Sequence, residues 1–171
     1  LVIPYVGKGH RETADQLKRL AGRANRAGHA CRKAGMQLCY HHHSFEFAKL
    51  PDGESGWEIF VREFDPELVK FEIDVFWAAI GGLDPVETIR NLKDRVAQLH
   101  LKDLQKDTPT IHDESSVPKQ AFKEVGSGII DWPAVLAAGQ AAGVTQCHVE
   151  QDQSPDPIAS IRQSIAYLKA S

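Results

Sequence analysis

The residues best suited to chemistry sit in the run Tyr40-His41-His42-His43-Ser44-Phe45-Glu46-Phe47 and at four later positions, Asp74, His100, Lys102 and Glu150. Imidazole nitrogens combined with carboxylate oxygens suit a borderline divalent ion (Mn2+, Zn2+, Co2+ or Fe2+) better than Ca2+, which prefers oxygen alone. His41, Asp74, His100 and Glu150 are therefore the candidate ligands of one divalent metal ion. Their spacings of 33, 26 and 50 residues are too long for a local metal loop, so a fold must gather them. Each position also has a plainer role open to it. Asp74 could form a turn, His100 could be a hydrogen-bonded core histidine between Leu99 and Leu101, and Lys102 could be a solvated loop lysine. His43 and Glu46 could support the site or simply form a turn. An acid placed after Phe71 and Ile73 in a buried strand needs a partner, which favours the ligand role for Asp74; Glu150 stands in the same way after Val149. Glu72 is read as structural, and His10, His29, His112 and His148 as surface or helix-packing residues.

The elements that must position these groups follow from local pattern. Residues 36–43 form an apolar and aromatic run that breaks into three imidazoles, which predicts a buried strand delivering side chains at its C-terminal tip. Alternation along a strand puts His41 and His43 on one face and His42 on the other. Further strands are expected over residues 1–6, 69–76, 95–103 and 144–150. Between them lie helices over 11–34, with Thr13 and Gly35 as caps, 57–64, 85–92 behind Asp84, and 134–142 behind Asp131. Residues 104–128 read as one long loop. A last helix spans 158–168, with Ile158, Ile161, Ile165 and Leu168 on one face. Alternating strands and helices predict parallel βα units. The polar residues all fall at C-terminal strand ends, which converge on one mouth in a (β/α)8 barrel.

Composition is that of an ordinary globular domain. The 171 residues are 42% hydrophobic and 25% charged, with a formal net charge of -3, which offers no basic surface for nucleic acid. No apolar run approaches the roughly 20 residues of a membrane span. Cys31, Cys39 and Cys147 are odd in number and widely spaced, and read as buried thiols of a reducing compartment. A cytoplasmic location is expected, or a periplasmic one if a signal peptide precedes Leu1.

The run Tyr40-His41-His42-His43-Ser44-Phe45-Glu46-Phe47 resembles the YHNHxFEF motif of bacterial sugar phosphate isomerase/epimerase-like proteins. These belong to the xylose isomerase-like TIM barrel superfamily, which also includes endonuclease IV. Phe71-Glu72-Ile73-Asp74-Val75-Phe76-Trp77, Leu99-His100-Leu101-Lys102-Asp103, Glu124-Val125-Gly126-Ser127-Gly128 with Asp131-Trp132, and Val149-Glu150-Gln151-Asp152 are similar to its later signatures, in order. The resemblance implies an α/β fold, a (β/α)8 TIM barrel with one divalent metal at its mouth. Asp74, His100 and Glu150 match ligand positions on strands six, seven and eight. His41 takes the place of a glutamate that serves the ketose epimerases as ligand and base, and Trp77 stands where several of them keep a histidine. YHNH-type relatives include lyases or hydratases that act on 3-keto-sugars and glycosides.

Such a barrel takes about 250 residues. Residues 1–171 are thus expected to be a single domain covering about strands four to eight, with the N-terminal strands missing and exposed edges that favour self-association. The expected activity is isomerase, epimerase or lyase chemistry on a sugar or keto-sugar, through proton abstraction next to a carbonyl. Glu150 is the leading base and His43 the other, with Lys102 steadying an oxyanion. Two alternatives stand beside it. One is an inactive partial barrel that binds metal or a partner chain; the other is an endonuclease IV-like phosphodiesterase, disfavoured by the net charge. No nucleic-acid or membrane partner is expected.

Overall fold

The computed structural model describes residues 1–170. A short strand, β1 (Val2–Ile3), leads into the long helix α1 (Ala14–Lys33). Thr13 starts α1 with a reciprocal cap: its hydroxyl accepts from the Gln16 N–H, and the Gln16 side chain accepts from the Thr13 N–H. Leu17, Ala21, Ala24, Gly28 and Cys31 form the buried stripe. Gly28 is needed where the helix crosses the sheet, since a Cβ there would lie 2.7 Å from the Leu68 carbonyl oxygen. Beyond α1 come β2 (Leu38–His41), α2 (Gly56–Glu63), β3 (Val69–Asp74), α3 (Val75–Ile80), α4 (Pro85–Leu92) and β4 (Val96–Leu101). β5 (Asp103–Leu104) and β6 (Phe122–Lys123) form an antiparallel ribbon. α5 (Trp132–Ala141), β7 (Gln146–Val149) and α6 (Pro157–Ala170) follow.

Strands β1, β2, β3, β4 and β7 pair in that order in one parallel sheet. Sequential βα units laid side by side in this way are the arrangement of a TIM-barrel-like fold. The register sets His41 beside Glu72, Asp74 beside His100, and His100 beside His148. The main core joins Leu38, Tyr40, Val69, Phe71, Ile73, Leu99 and Leu101 from the strands to Leu17, Phe60, Ile89 and Val135 from the helices. A second cluster, built on Phe76, Trp77, Ile80, Leu104 and Phe122, supports the ribbon. Among the described residues no helix is long and apolar enough to cross a membrane.

Several expectations need correction. The strand expected over 69–76 ends at Asp74, whose side chain accepts from the Trp77 N–H and starts α3. An apolar run in a buried setting has no periodicity that separates strand from helix, so the cap decides. The long loop holds the β5–β6 ribbon. On α6 it is Ser160 and Ser164 that turn inward, bonding to Glu124 and the Val125 N–H, while Ile158 is 62% exposed and Ile165 39%. Cys147 is exposed, because β7 is an outer strand of the sheet.

Candidate active site

Four strand ends deliver the predicted residues to one place. His41 Nδ1 lies 2.8 Å from Glu72 Oε1 on the neighbouring strand, and its Nε2 lies 3.8 Å from Asp74 Oδ2. His100 Nδ1 lies 3.4 Å from the same Asp74 oxygen. Ligand atoms of His41, Asp74 and His100 all fall within 4.8 Å of one another. A tetrahedral ion bonded at about 2.1 Å holds its ligands roughly 3.4 Å apart, which these separations approach. Asp74 Oδ1 is taken by the Trp77 N–H, whereas Asp74 Oδ2 is buried and accepts no hydrogen bond. The Lys102 ammonium stands 3.2 Å from this oxygen and balances its charge from one side, while the two imidazoles face it from the other. Two imidazoles and a carboxylate oxygen that accepts no hydrogen bond are a donor set that fits a divalent cation.

The charges are arranged to keep the anions ionised. Burial pushes the Asp74 carboxyl up, but Lys102 and the two imidazoles outweigh it and hold it below the usual range. Burial likewise pulls His41 down, and the Glu72 and Asp74 carboxylates more than reverse this, so its pKa is raised. For His100 burial prevails and the pKa is lowered. Lys102 is buried with its ammonium 2.5 Å from Glu150 Oε2, 2.7 Å from Asp152 Oδ2 and 3.2 Å from Asp74 Oδ2. Burial lowers its pKa, but these three carboxylates raise it well above the ordinary lysine value. Glu150 Oε2 is also 3.3 Å from His100 Nε2, so Glu150 borders the three-donor group without belonging to it.

The two remaining histidines separate as alternation predicts. His42, fully buried, donates from Nδ1 to the His43 carbonyl oxygen and accepts at Nε2 from the Asp74 N–H, tying β2 to β3. Burial lowers its pKa to about 4, so it stays neutral. The His43 ring lies 4.9 Å from that of His41, stacks on Phe45 at 5.6 Å and approaches Trp77 at 5.1 Å. Burial lowers its pKa to about 3, and its Nδ1 is buried without a hydrogen-bond partner.

Three participants were not anticipated from sequence. Glu72 braces His41; its place two residues before Asp74, on the same strand face, was the available signal. Asp152 shares Lys102 with Glu150, and a second acid two residues on was visible in the sequence. Asp103 accepts from the Gly126, Gly128 and Ile130 N–H groups and from the Trp132 indole, which fixes residues 124–132 beside Lys102. Gly128 has to be glycine here, because a Cβ would collide with the Asp103 carboxylate.

The model of the xylose isomerase-like TIM barrel family matches residues 1–171. The chain belongs to that family. Within it, inosose dehydratase from Geobacillus kaustophilus is 31% identical over 135 residues, covering 74% of this chain and 42% of that protein. A crystal structure of a sugar phosphate isomerase/epimerase from Parabacteroides distasonis superposes with a TM-score of 0.80 at 30% identity, covering 99% of this chain and 57% of that one. The IOLI protein, solved with a zinc atom bound, shares the fold with a TM-score of 0.70 at 15% identity, covering 99% of this chain and 60% of that one. The xylose isomerase-like chain spans about half the length of the curated relatives it matches, 42% and 55% in two of them.

Proposed function

We propose that this xylose isomerase-like chain carries the metal site of a divalent-metal-dependent sugar enzyme that removes the proton next to the carbonyl of a keto-sugar. The observation that carries the proposal is the meeting of His41, His100 and Asp74 donor atoms within 4.8 Å of one another, around a buried Asp74 Oδ2 that accepts no hydrogen bond and is charge-balanced by Lys102 at 3.2 Å. These three residues would hold the ion, with Glu150 as a fourth ligand or its neighbour. Support comes from the zinc in the IOLI protein, which has the same fold, and from inosose dehydratases and sugar phosphate isomerase/epimerases among the relatives. Residues 1–171 are read as one domain, corresponding to strands four to eight of an eight-stranded barrel.

When bound, the ion would polarise the ketone and an adjacent hydroxyl and so acidify the carbon-bound proton. Glu150 takes that proton: its side chain is 42% exposed and so open to substrate, and Lys102 steadies the carboxylate from behind. Lys102 also offsets negative charge that develops on the substrate oxygen. His43, whose pKa burial lowers to about 3, stays neutral in its aromatic slot and bonds a substrate hydroxyl. The hydroxyl on the next carbon then leaves as water, taking up the proton held by Glu150 as the carbon–carbon double bond forms; this is dehydration, the activity in the name of the 31% identical relative, and lyase chemistry is therefore preferred to plain epimerisation. His41 in place of a carboxylate agrees with this, because a metal-bound imidazole cannot return a proton from the opposite face.

The test is incubation of the metal-loaded chain with 3-keto-sugars and keto-inositols in D2O. Exchange of the proton next to the carbonyl, abolished by chelation and restored by Mn2+ or Zn2+, is expected, with water loss from one of them. Absence of exchange in a metal-loaded chain contradicts the proposal. It favours a second reading, metal binding without turnover, which the exposure of Gln146, Cys147 and His148 on the outer strand β7 supports.

A further inference from the structure

Glu46 sits in the turn after the histidine run and is only 1% exposed. Its Oε1 accepts from the Tyr40 hydroxyl at 2.6 Å, and its Oε2 accepts from the main-chain N–H of His43 at 2.8 Å. Burying a carboxyl is costly, so a residue serving only to fill this turn would be better apolar. The two bonds link the core to the strand tip. Tyr40 is fully buried and packs on Phe60 and Phe64 at ring distances of 4.7 and 5.4 Å, so its hydroxyl is a fixed point. From that point Glu46 holds the chain just beyond the last residue of β2, where no sheet bond would fix it. The His43 ring is thereby seated between Phe45 and Trp77, facing His41.

We infer that Glu46 is a positioning residue, which anchors on Tyr40 and holds His43 against the metal-binding cluster. The functional part of this inference rests on the proposed contact of His43 with substrate. A purely structural Glu46 would alter stability alone, so the test needs readouts that stability does not move. Glu46→Gln can keep both bonds, Glu46→Ala removes both, and Tyr40→Phe removes the anchor. Each is made in the whole chain and loaded with Zn2+. The measurements are nuclear Overhauser contacts between the His43 and Trp77 rings, Zn2+ affinity, and kcat and KM on a keto-sugar.

For Glu46→Ala, Zn2+ affinity stays within about 3-fold, the ring contacts are lost, and kcat falls at least about 10-fold with KM nearly unchanged. Glu46→Gln keeps the contacts, and its kcat stays within about 3-fold of wild type. A folded Glu46→Ala chain that keeps the ring contacts overturns the inference, as does a Glu46→Gln chain that loses them. If Glu46→Ala does not fold, Tyr40→Phe decides: weakened contacts support the inference and unchanged contacts overturn it. Ring contacts do not depend on turnover. A chain without activity would therefore defeat the proposed function and leave the Glu46 result to stand or fall alone.

Discussion

His41 and Glu72 face each other across β2 and β3, Nδ1 to Oε1 at 2.8 Å, and the pairing turns His41 Nε2 toward Asp74. A carboxylate on one ring nitrogen fixes the orientation of a metal-binding imidazole and raises the basicity of the other nitrogen. Glu72→Gln should therefore weaken Zn2+ binding by roughly 10–100-fold while leaving one site per chain. Competitive titration against a chromogenic chelator reads this directly. Unchanged affinity would show that Glu72 serves only the fold.

Lys102 neutralises a group of three carboxylates from a buried position. Lys102→Met leaves Asp74, Glu150 and Asp152 without their common cation. The Lys102–Asp74 pair is fully buried, and breaking such a pair costs about 3–5 kcal/mol, whereas Glu150 and Asp152, 42% and 31% exposed, add little to the loss. Urea unfolding measures it. Turnover should fall about 100-fold, the scale for removing an electrostatic stabiliser.

Glu46 makes stability depend on pH. Burial is the main cause that raises its carboxyl pKa to about 8 from 4.5, partly offset by the hydrogen bonds from Tyr40 and His43 and by Arg11. A folded-state pKa above the unfolded one means stability is complete below pH 4.5 and is lost as pH climbs toward 8. The wild-type chain should lose about 5 kcal/mol over that range, and Glu46→Gln should flatten the difference. Denaturant midpoints at pH 5 and pH 8.5 for both chains check this.

The connection between β5 and β6 is held down at Glu114, which accepts from Arg11 at 2.5 Å and from the Tyr5 hydroxyl at 2.7 Å. Arg11 in turn lies 3.3 Å above the Phe45 ring, which stacks on His43. Glu114→Ala should cost about 2 kcal/mol, the scale of a mostly buried charged hydrogen bond. It should also speed amide exchange at the Ile111, Ser116 and Val117 N–H groups. Unchanged exchange there would show that the loop is held elsewhere.

Much of this was legible because strand tips announce themselves. The βα order, the caps at Thr13, Asp84 and Asp131, and the meeting of His41, Asp74 and His100 follow from apolar runs that end in ligand-type residues. What sequence could not give were the partners across strands. Glu72 and His41 are 31 residues apart, and only the register between β2 and β3 makes them neighbours. The start of α3 at Asp74 was hidden because Val75 and Phe76 continue the apolar run of β3. On α6 the expected face holds only in part: Leu168 packs on the core and Ile161 is half-buried, but Ile158 and Ile165 are exposed, while Ser160 and Ser164 turn inward through hydroxyls that hydropathy does not count.

The His41, Asp74 and His100 cluster is proposed to bind a divalent ion. The most direct measurement is the metal content of the purified chain after saturation with Mn2+ or Zn2+ and desalting, for wild type and for Asp74→Ala. About one ion per chain is expected in the wild type and near zero in the variant, in line with a single site built on Asp74. A wild-type chain that retains no metal, or a folded Asp74→Ala chain that retains as much as wild type, would contradict it.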